Sequence, residues 1–480
     1  MRIGLIGAGK FGSMYLAQVT RIPGVHLIGI ADLAPDAARR NLERVGWPAA
    51  RAQAASLDAA VASGTTHVGE DWTALVRHPA IDVIVECTGH PIAAVDHCLE
   101  AFRQGKHVVN VTVEADAFCG PLLARRAAEA GVVYSLAFGD QPALICDLVD
   151  WARTCGFPVV AAGRGHKWLP HFCTSTPETV WGYYGLTPEQ AQRGGLNPKM
   201  FNSFLDGSKP SIESTAVANA TGLAVPSTGL LYPPASVADI PFDTRPKSEG
   251  GVLERKGMVE VISCLEPDGR AIPYDIRMGV WVTVEGETEY IRHCFEEYNA
   301  HTDPSGRYFT LYKRWHLIGL EVGYSVASVM LRGEPTGVAQ CWNADVVATA
   351  KRDLKPGERL DGEGGYTVWG KLQPATASVA LRGEGGLPLG LAHDVPLVRP
   401  VAQGQMLTWA DVAIDTSTAA YRLRREMEQR FAPPGAERCR APTATTPQRA
   451  SPPGTDHAVP PGATARRDLH RRDRGGHRGR

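Results

Sequence analysis

The sequence predicts an α/β protein: an N-terminal doubly wound parallel sheet, a second α+β domain, a small β-rich third domain and a disordered tail. Three observations predict it. Short apolar runs alternate with amphipathic stretches over residues 1–150; a glycine-rich turn follows the first run directly; and from about Trp151 aromatics, Gly and Pro become frequent. At 480 residues the chain exceeds what one hydrophobic core organises, so several domains are expected.

The elements follow in order. Residues 3–6, 27–31, 83–86, 107–111 and 132–137 are apolar runs of strand length, as buried parallel strands require. Residues 13–20 and 93–104 between them have helical spacing. This βαβ rhythm makes a doubly wound sheet over 1–150. Over 151–343, strands at 258–265, 277–284 and 307–313 alternate roughly, among helical pieces at 210–221 and 317–331. Residues 344–431 hold two similar phrases, at 351–361 and 394–412, each with a Pro/Gly turn before a β-prone segment, and then a charged helix at 421–431. Residues 432–480 are rich in Pro, Ala, Thr, Gly and Arg; too little apolar surface is present to offset the entropy of ordering, so a disordered tail is expected. Its Arg-rich end at 466–480 reads as a solvated segment.

Composition excludes several classes. Apolar residues are 44%, charged residues 21% and the formal net charge −1, an ordinary globular balance with no electrostatic case for nucleic acid or an acidic membrane. No apolar run reaches the roughly 18–20 residues that span a bilayer. Met1 and Arg2 lead directly into a strand, so no secretory leader is expected. The ten cysteines are scattered with no CxxC pair, the pattern of reduced thiols in a cytoplasmic protein. The expected partners are a small-molecule substrate and further copies of the chain, with neither nucleic acid nor membrane.

Gly7-Ala8-Gly9-Lys10-Phe11-Gly12 fits GxGxxG, and it follows a strand and opens a helix inside a βαβ unit, the context of a Rossmann dinucleotide site. Gly7 makes the tight turn, Gly9 admits the pyrophosphate and Gly12 lets helix and strand close up, while the helix N-terminus faces the phosphates. Asp32 ends the second apolar run, where an acid grips the ribose hydroxyls of NAD; Arg39 and Arg40, two turns into the next helix, are placed to receive a 2′-phosphate. Thr88 and Gly89, at another strand end, are expected by the nicotinamide ribose.

On the substrate side, Glu114 after one strand end and Asp140 in the turn 138–142 are expected near the nicotinamide. Arg164, His166 and Lys167 interleave with glycine and suit an anionic substrate. Asp206, Ser208, Lys209 and Glu213 open a helix, with Pro210 in its first turn and Gly222 at its end. Ser hydroxyls, free N–H groups and a Lys there can hold phosphate, and Asp with Lys can move protons, so Lys209, Asp206 and Glu213 are the candidate catalytic residues. Lys313 and His316, between a strand and a helix, are further candidates.

Together these motifs resemble the homoserine dehydrogenase-like oxidoreductases that carry a C-terminal SAF domain, in particular their 1-deoxy-D-xylulose 5-phosphate reductoisomerase-like members. The resemblance runs from Arg2 to about Phe431 and rests on residues 7–12, 86–89, 163–167, 206–213, 251–256, 307–320 and 342–345, with 351–412 resembling the SAF fold. It implies carbonyl reduction with NADP(H), and for the reductoisomerase-like members conversion of 1-deoxy-D-xylulose 5-phosphate to 2-C-methyl-D-erythritol 4-phosphate, an isoprenoid precursor, with the need for a divalent metal open. The chain departs from homoserine dehydrogenases in two places. Thr112-Val113-Glu114 stands where they carry an Asn-Lys pair, and Asp206-x-x-Lys209 replaces their Asp-x-x-x-Lys. Two other readings remain: simple hydride transfer on a hydroxy amino acid or sugar acid, and a non-catalytic nucleotide- or carbohydrate-binding protein acting through the SAF-like module.

Overall fold

The computed structural model describes residues 1–193 and 196–431; the expected tail at 432–480 lies outside them. The first half is a six-stranded parallel sheet: β1 (Arg2–Ile6), β2 (His26–Ala31), β3 (His67–Gly69), β4 (Val83–Glu86), β5 (His107–Asn110) and β6 (Tyr134–Leu136), in the order β3-β2-β1-β4-β5-β6. The apolar runs form strands because helices cover both faces: Ile3, Leu5, Val83, Val85, Ile84 and Val108 are completely buried. The strand order reverses between β1 and β4, and such a crevice at the carboxyl ends is where ligands sit. The sequence did not foretell β3, whose single apolar residue, Val68, carries no period.

The second sheet is mixed: β7 (Val159–His166), β8 (Met258–Ser263), β9 (Val280–Glu285) and β10 (Tyr308–Lys313), ordered β10-β9-β7-β8. Strand β7 continues through Gly163-Arg164-Gly165-His166. The period of two sends Arg164 and His166 to one face, where both are buried. The helix expected at 317–331 is shorter, Val322–Ala327, followed by one wide turn at Ser328–Arg332.

Strands β11 (Ala344–Ala350) and β13 (Val368–Pro374) pair antiparallel, as do β12 (Arg359–Asp361) and β14 (His393–Pro396). The two similar phrases of the sequence therefore lie against each other, with Leu354 and Val401 exchanging backbone hydrogen bonds. This region shares one core with the helices of the other two: Val346, Ala348 and Leu387 pack with Ile212 and Ala216 of the Ser208–Thr221 helix and with Val113 and Ala117 of the Val113–Glu129 helix. The Ala419–Phe431 helix docks by Leu423 and Met427, and its buried Arg424 meets Asp345 at 2.6 Å. Among the described residues no helix is long and apolar enough to cross a membrane.

Candidate active site

The turn after β1 is shaped for a dinucleotide. Gly7 has φ +91°, and a Cβ there would lie 2.8 Å from the Cys87 carbonyl oxygen, so only glycine passes. A Cβ on Gly12 would lie 2.5 Å from the Gly7 carbonyl, whereas one on Gly9 would meet nothing within 4 Å. The backbone around Gly9 is thus open beside the first turn of the Lys10–Val19 helix, whose free N–H groups favour an anion. Ala8 is buried, Phe11 half-buried and Lys10 exposed. These residues fit the pyrophosphate of NAD(P), which would supply the hydride when bound.

Asp32 holds this turn to β2. Its carboxylate accepts from Ala8 N–H at 2.7 Å and from Ala34 N–H at 2.8 Å. Asn41, which sequence reasoning passed over, donates to the Ala8 carbonyl at 2.8 Å. Arg39 donates to the Val68 carbonyl at 2.9 Å and pairs with Asp36 at 3.1 Å. At the end of β4, fully buried Glu86 organises the next turn: it accepts from Thr88 Oγ1 at 2.6 Å and His97 Nδ1 at 3.1 Å, and from the Thr112 hydroxyl. Gly89 N–H in turn donates to Thr112 Oγ1 at 3.0 Å. Thr88 therefore braces the turn through its hydroxyl. Glu86 and His97 were missed because buried polar partners eleven residues apart leave no local pattern.

The substrate-side residues are sorted differently from the sequence expectation. Lys209 Nζ donates to Glu114 Oε1 at 2.5 Å. This contact joins the first turn of the Ser208–Thr221 helix to the first turn of the Val113–Glu129 helix, at the carboxyl edge of the parallel sheet. Burial alone would push the Lys209 ammonium down; Glu114, Asp140 and Glu363 outweigh it and hold its pKa above the ordinary lysine value. Burial raises the Glu114 carboxyl, with Lys209 opposing. Asp140 caps the Gln141–Thr154 helix, accepting from Gln141 N–H at 3.0 Å.

Asp206 and Glu213 do not join Lys209. Asp206 is completely buried, paired with Lys351 at 2.7 Å, and accepts from Ser208 N–H at 2.8 Å and Gly364 N–H at 3.2 Å. Glu213 pairs with Arg164. Both carboxylates, expected beside Lys209, are thereby occupied in fixing the Ser208–Thr221 helix. Ser208, expected to face the substrate, is fully buried, and its hydroxyl accepts from Gly370 N–H at 2.9 Å. Arg164, expected on the substrate, is spent on Glu213. Burial, then the Arg164 charge, keeps His166 neutral, and its Nε2 meets the Phe204 carbonyl at 2.6 Å. Lys167 donates to the Tyr183 carbonyl at 2.6 Å. Lys313 pairs with Glu321 at 2.6 Å, and His316 Nδ1 meets the Met278 carbonyl at 2.7 Å. Among the described residues no group of three or more His, Cys, Asp or Glu side chains is arranged to hold a metal ion. The cations missed by the sequence reading include Arg277, which lies 5.8 Å from the centre of the Tyr184 ring, with Lys167 at 5.7 Å from the same ring.

A model of the homoserine dehydrogenase NAD-binding domain matches residues 7–135, and a model of the catalytic domain of oxidoreductase DRL matches residues 139–322. No curated protein matches the chain. Solved structures similar to it include a probable dehydrogenase from Thermotoga maritima, at 15% identity over 71% of this chain and 91% of that one, TM-score 0.36. A putative myo-inositol dehydrogenase from Sinorhizobium meliloti matches at 14% identity over 70% and 90%, TM-score 0.34. KijD10, a 3-ketoreductase from Actinomadura kijaniata solved with TDP-benzene and NADP, matches at 18% identity over 35% and 49%, TM-score 0.24. With a glycine turn that admits a dinucleotide and a homoserine dehydrogenase-type NAD-binding domain joined to a DRL catalytic domain, the chain is an NAD(P)-dependent oxidoreductase.

Proposed function

We propose that this enzyme reduces the carbonyl of a small hydroxylated, anionic compound, with Lys209 as the proton donor. The observation that carries the reading is the Lys209–Glu114 pair, which sets a largely enclosed ammonium at the edge of the nucleotide-binding sheet. NAD(P)H, held at the Gly7–Gly12 turn, would supply the hydride when bound. Lys209, protonated across the neutral range, hydrogen-bonds the carbonyl oxygen, stabilises the charge that develops there and transfers its proton. Glu114 orients the amine. Lys167 and Arg277, each within 6 Å of the Tyr184 ring centre, hold the anionic group. Region 344–431 supports the helix that presents Lys209, through Gly364 and Lys351 on Asp206.

Within this class the first substrate to try is 1-deoxy-D-xylulose 5-phosphate, which the family resemblance implies, with NADPH as its reductant. Absorbance of NADPH is followed during incubation with that compound, with and without a divalent metal, and the product is identified by mass and NMR. A branched methylerythritol phosphate supports a reductoisomerase. Nucleotide oxidation without movement of a carbon makes the reaction a simple reduction. No oxidation of NADPH or NADH across a panel of hydroxylated carbonyl phosphates and acids overturns the proposal.

A further inference from the structure

We infer that His393, held by Glu363 and like it from the third region, is the proton relay that recharges Lys209 between turnovers; this rests on the proposed role of Lys209. The two side chains face each other as an ion pair at 2.9 Å, His393 Nε2 to Glu363 Oε2, largely buried, and neither atom has a hydrogen-bonding partner among the described residues. The loop that carries Glu363 is built for the ring: Gly362 has φ +74°, and a Cβ there would collide with the His393 imidazole.

Two anchors tie the segments carrying this pair to the elements that carry Lys209 and Glu114. Gly364, the residue after Glu363, donates its N–H to Asp206, three residues before Lys209. Gly390, three residues before His393, lies against Phe118, where a Cβ would come 2.6 Å from the ring; Phe118 is one helical turn beyond Glu114. The third region thus grips both elements that bring Lys209 and Glu114 together. On the solvent side the His393 ring lies 6.2 Å from that of exposed His90, which follows the Gly89 turn by the nicotinamide site. The charged groups around His393 are Glu363, Lys199 and Glu114; burial opposes its protonation and Glu363 restores it, leaving the imidazole above its ordinary value.

The protons balance. As hydride reaches the carbonyl carbon, Lys209 loses one proton to the oxygen. The neutral amine takes one through Glu114, which receives it from imidazolium His393, and His393 is reprotonated from solvent by way of His90. The first turnover uses the proton already on Lys209, so the relay limits only later ones.

The test is rapid mixing of the full-length enzyme, loaded with NAD(P)H, with a carbonyl it reduces. In His393→Gln and in Glu363→Gln the first equivalent of nucleotide is oxidised at the native rate, while the steady-state rate falls on the order of tenfold or more and imidazole in the buffer restores it. Glu363→Gln also moves the alkaline limb of the steady-state rate to lower pH, because His393 loses the charge that keeps it protonated. An unchanged steady state, or both phases falling together without rescue, overturns the relay. A readout independent of turnover is the NMR titration of His393 in the nucleotide-bound enzyme: its pKa moves in Glu114→Gln and in Lys209→Met. An unmoved pKa overturns the relay even in an active enzyme. A moved pKa in a protein that reduces no carbonyl supports the link and refutes the proposed reaction.

Discussion

The nucleotide side and the substrate side of the cleft are built by opposite means. The nucleotide side is one continuous segment, and its key residues act through backbone: Gly7 turns, Gly12 closes up, and Asp32 ties the turn to β2 from twenty-four residues away. The substrate side is a set of long-range pairs. Lys209 meets Glu114, Asp206 meets Lys351, and Glu213 meets Arg164, so two residues of one helix and the residue two before it reach into three different parts of the chain. The lesson is that adjacency in sequence said little about partnership; each side chain took the partner its direction allowed. One of the three pairs lies at the sheet's carboxyl edge, and the other two fix the helix that presents it.

The largest expected effect breaks the comparison at Lys209. Lys209→Met removes the donor where negative charge develops, and turnover falls by about 10²–10⁴-fold while nucleotide affinity, measured by fluorescence titration, stays native. Gly7→Val does the converse: it collides with the Cys87 carbonyl and abolishes nucleotide binding. Comparable nucleotide affinities in both variants would show that the two sides are not separable in this way.

The Arg164–Glu213 pair sharpens the point in stability. Arg164→Leu leaves a buried carboxylate unpaired and costs roughly 3–5 kcal/mol in chemical denaturation, whereas Arg164→Leu with Glu213→Leu recovers most of it. If Arg164→Leu left stability intact and instead raised KM tenfold or more, Arg164 would belong to the substrate after all. Asp206→Leu and its double variant with Lys351→Met follow the same pattern, because both ends of that ion pair are buried.

These pairings explain what was legible in the sequence. Five strands of the parallel sheet and the Gly7–Gly12 turn could be read because their causes are local: apolar runs, and glycines at fixed offsets. Lys209 and Glu114 could each be named as candidates from position at a helix start or strand end, but not as a pair, since ninety-five residues separate them. Ser208 was misread because a hydroxyl at a helix start suits a phosphate and a neighbouring strand equally well; here β13 took it, through Gly370. Glu363 left one unused signal, a lone carboxylate within Gly362-Glu363-Gly364-Gly365, a backbone too permissive to be merely a strand end. His393 left none, because its meaning depends wholly on the pairing of β12 with β14.

The smallest expected effect tests how far a local reading can be carried. Asp32 sits where an acid meets the adenosine ribose, and its two oxygens already accept from Ala8 and Ala34 N–H groups. A carboxylate accepts more than two hydrogen bonds, so the ribose diol of NAD still fits, while a 2′-phosphate meets a negative charge. Arg39, turned to Val68 and Asp36, is half-exposed and does not cancel that charge. Asp32→Asn keeps one acceptor and removes the charge. The ratio of kcat/KM for NADPH over NADH therefore rises about tenfold, equivalent to ~1.4 kcal/mol. The gain comes from NADPH, and weaker holding of the turn lowers both nucleotides alike. An unchanged ratio would mean that the 2′ position lies away from Asp32, and that the turn's backbone can be read from sequence more securely than its choice of nucleotide.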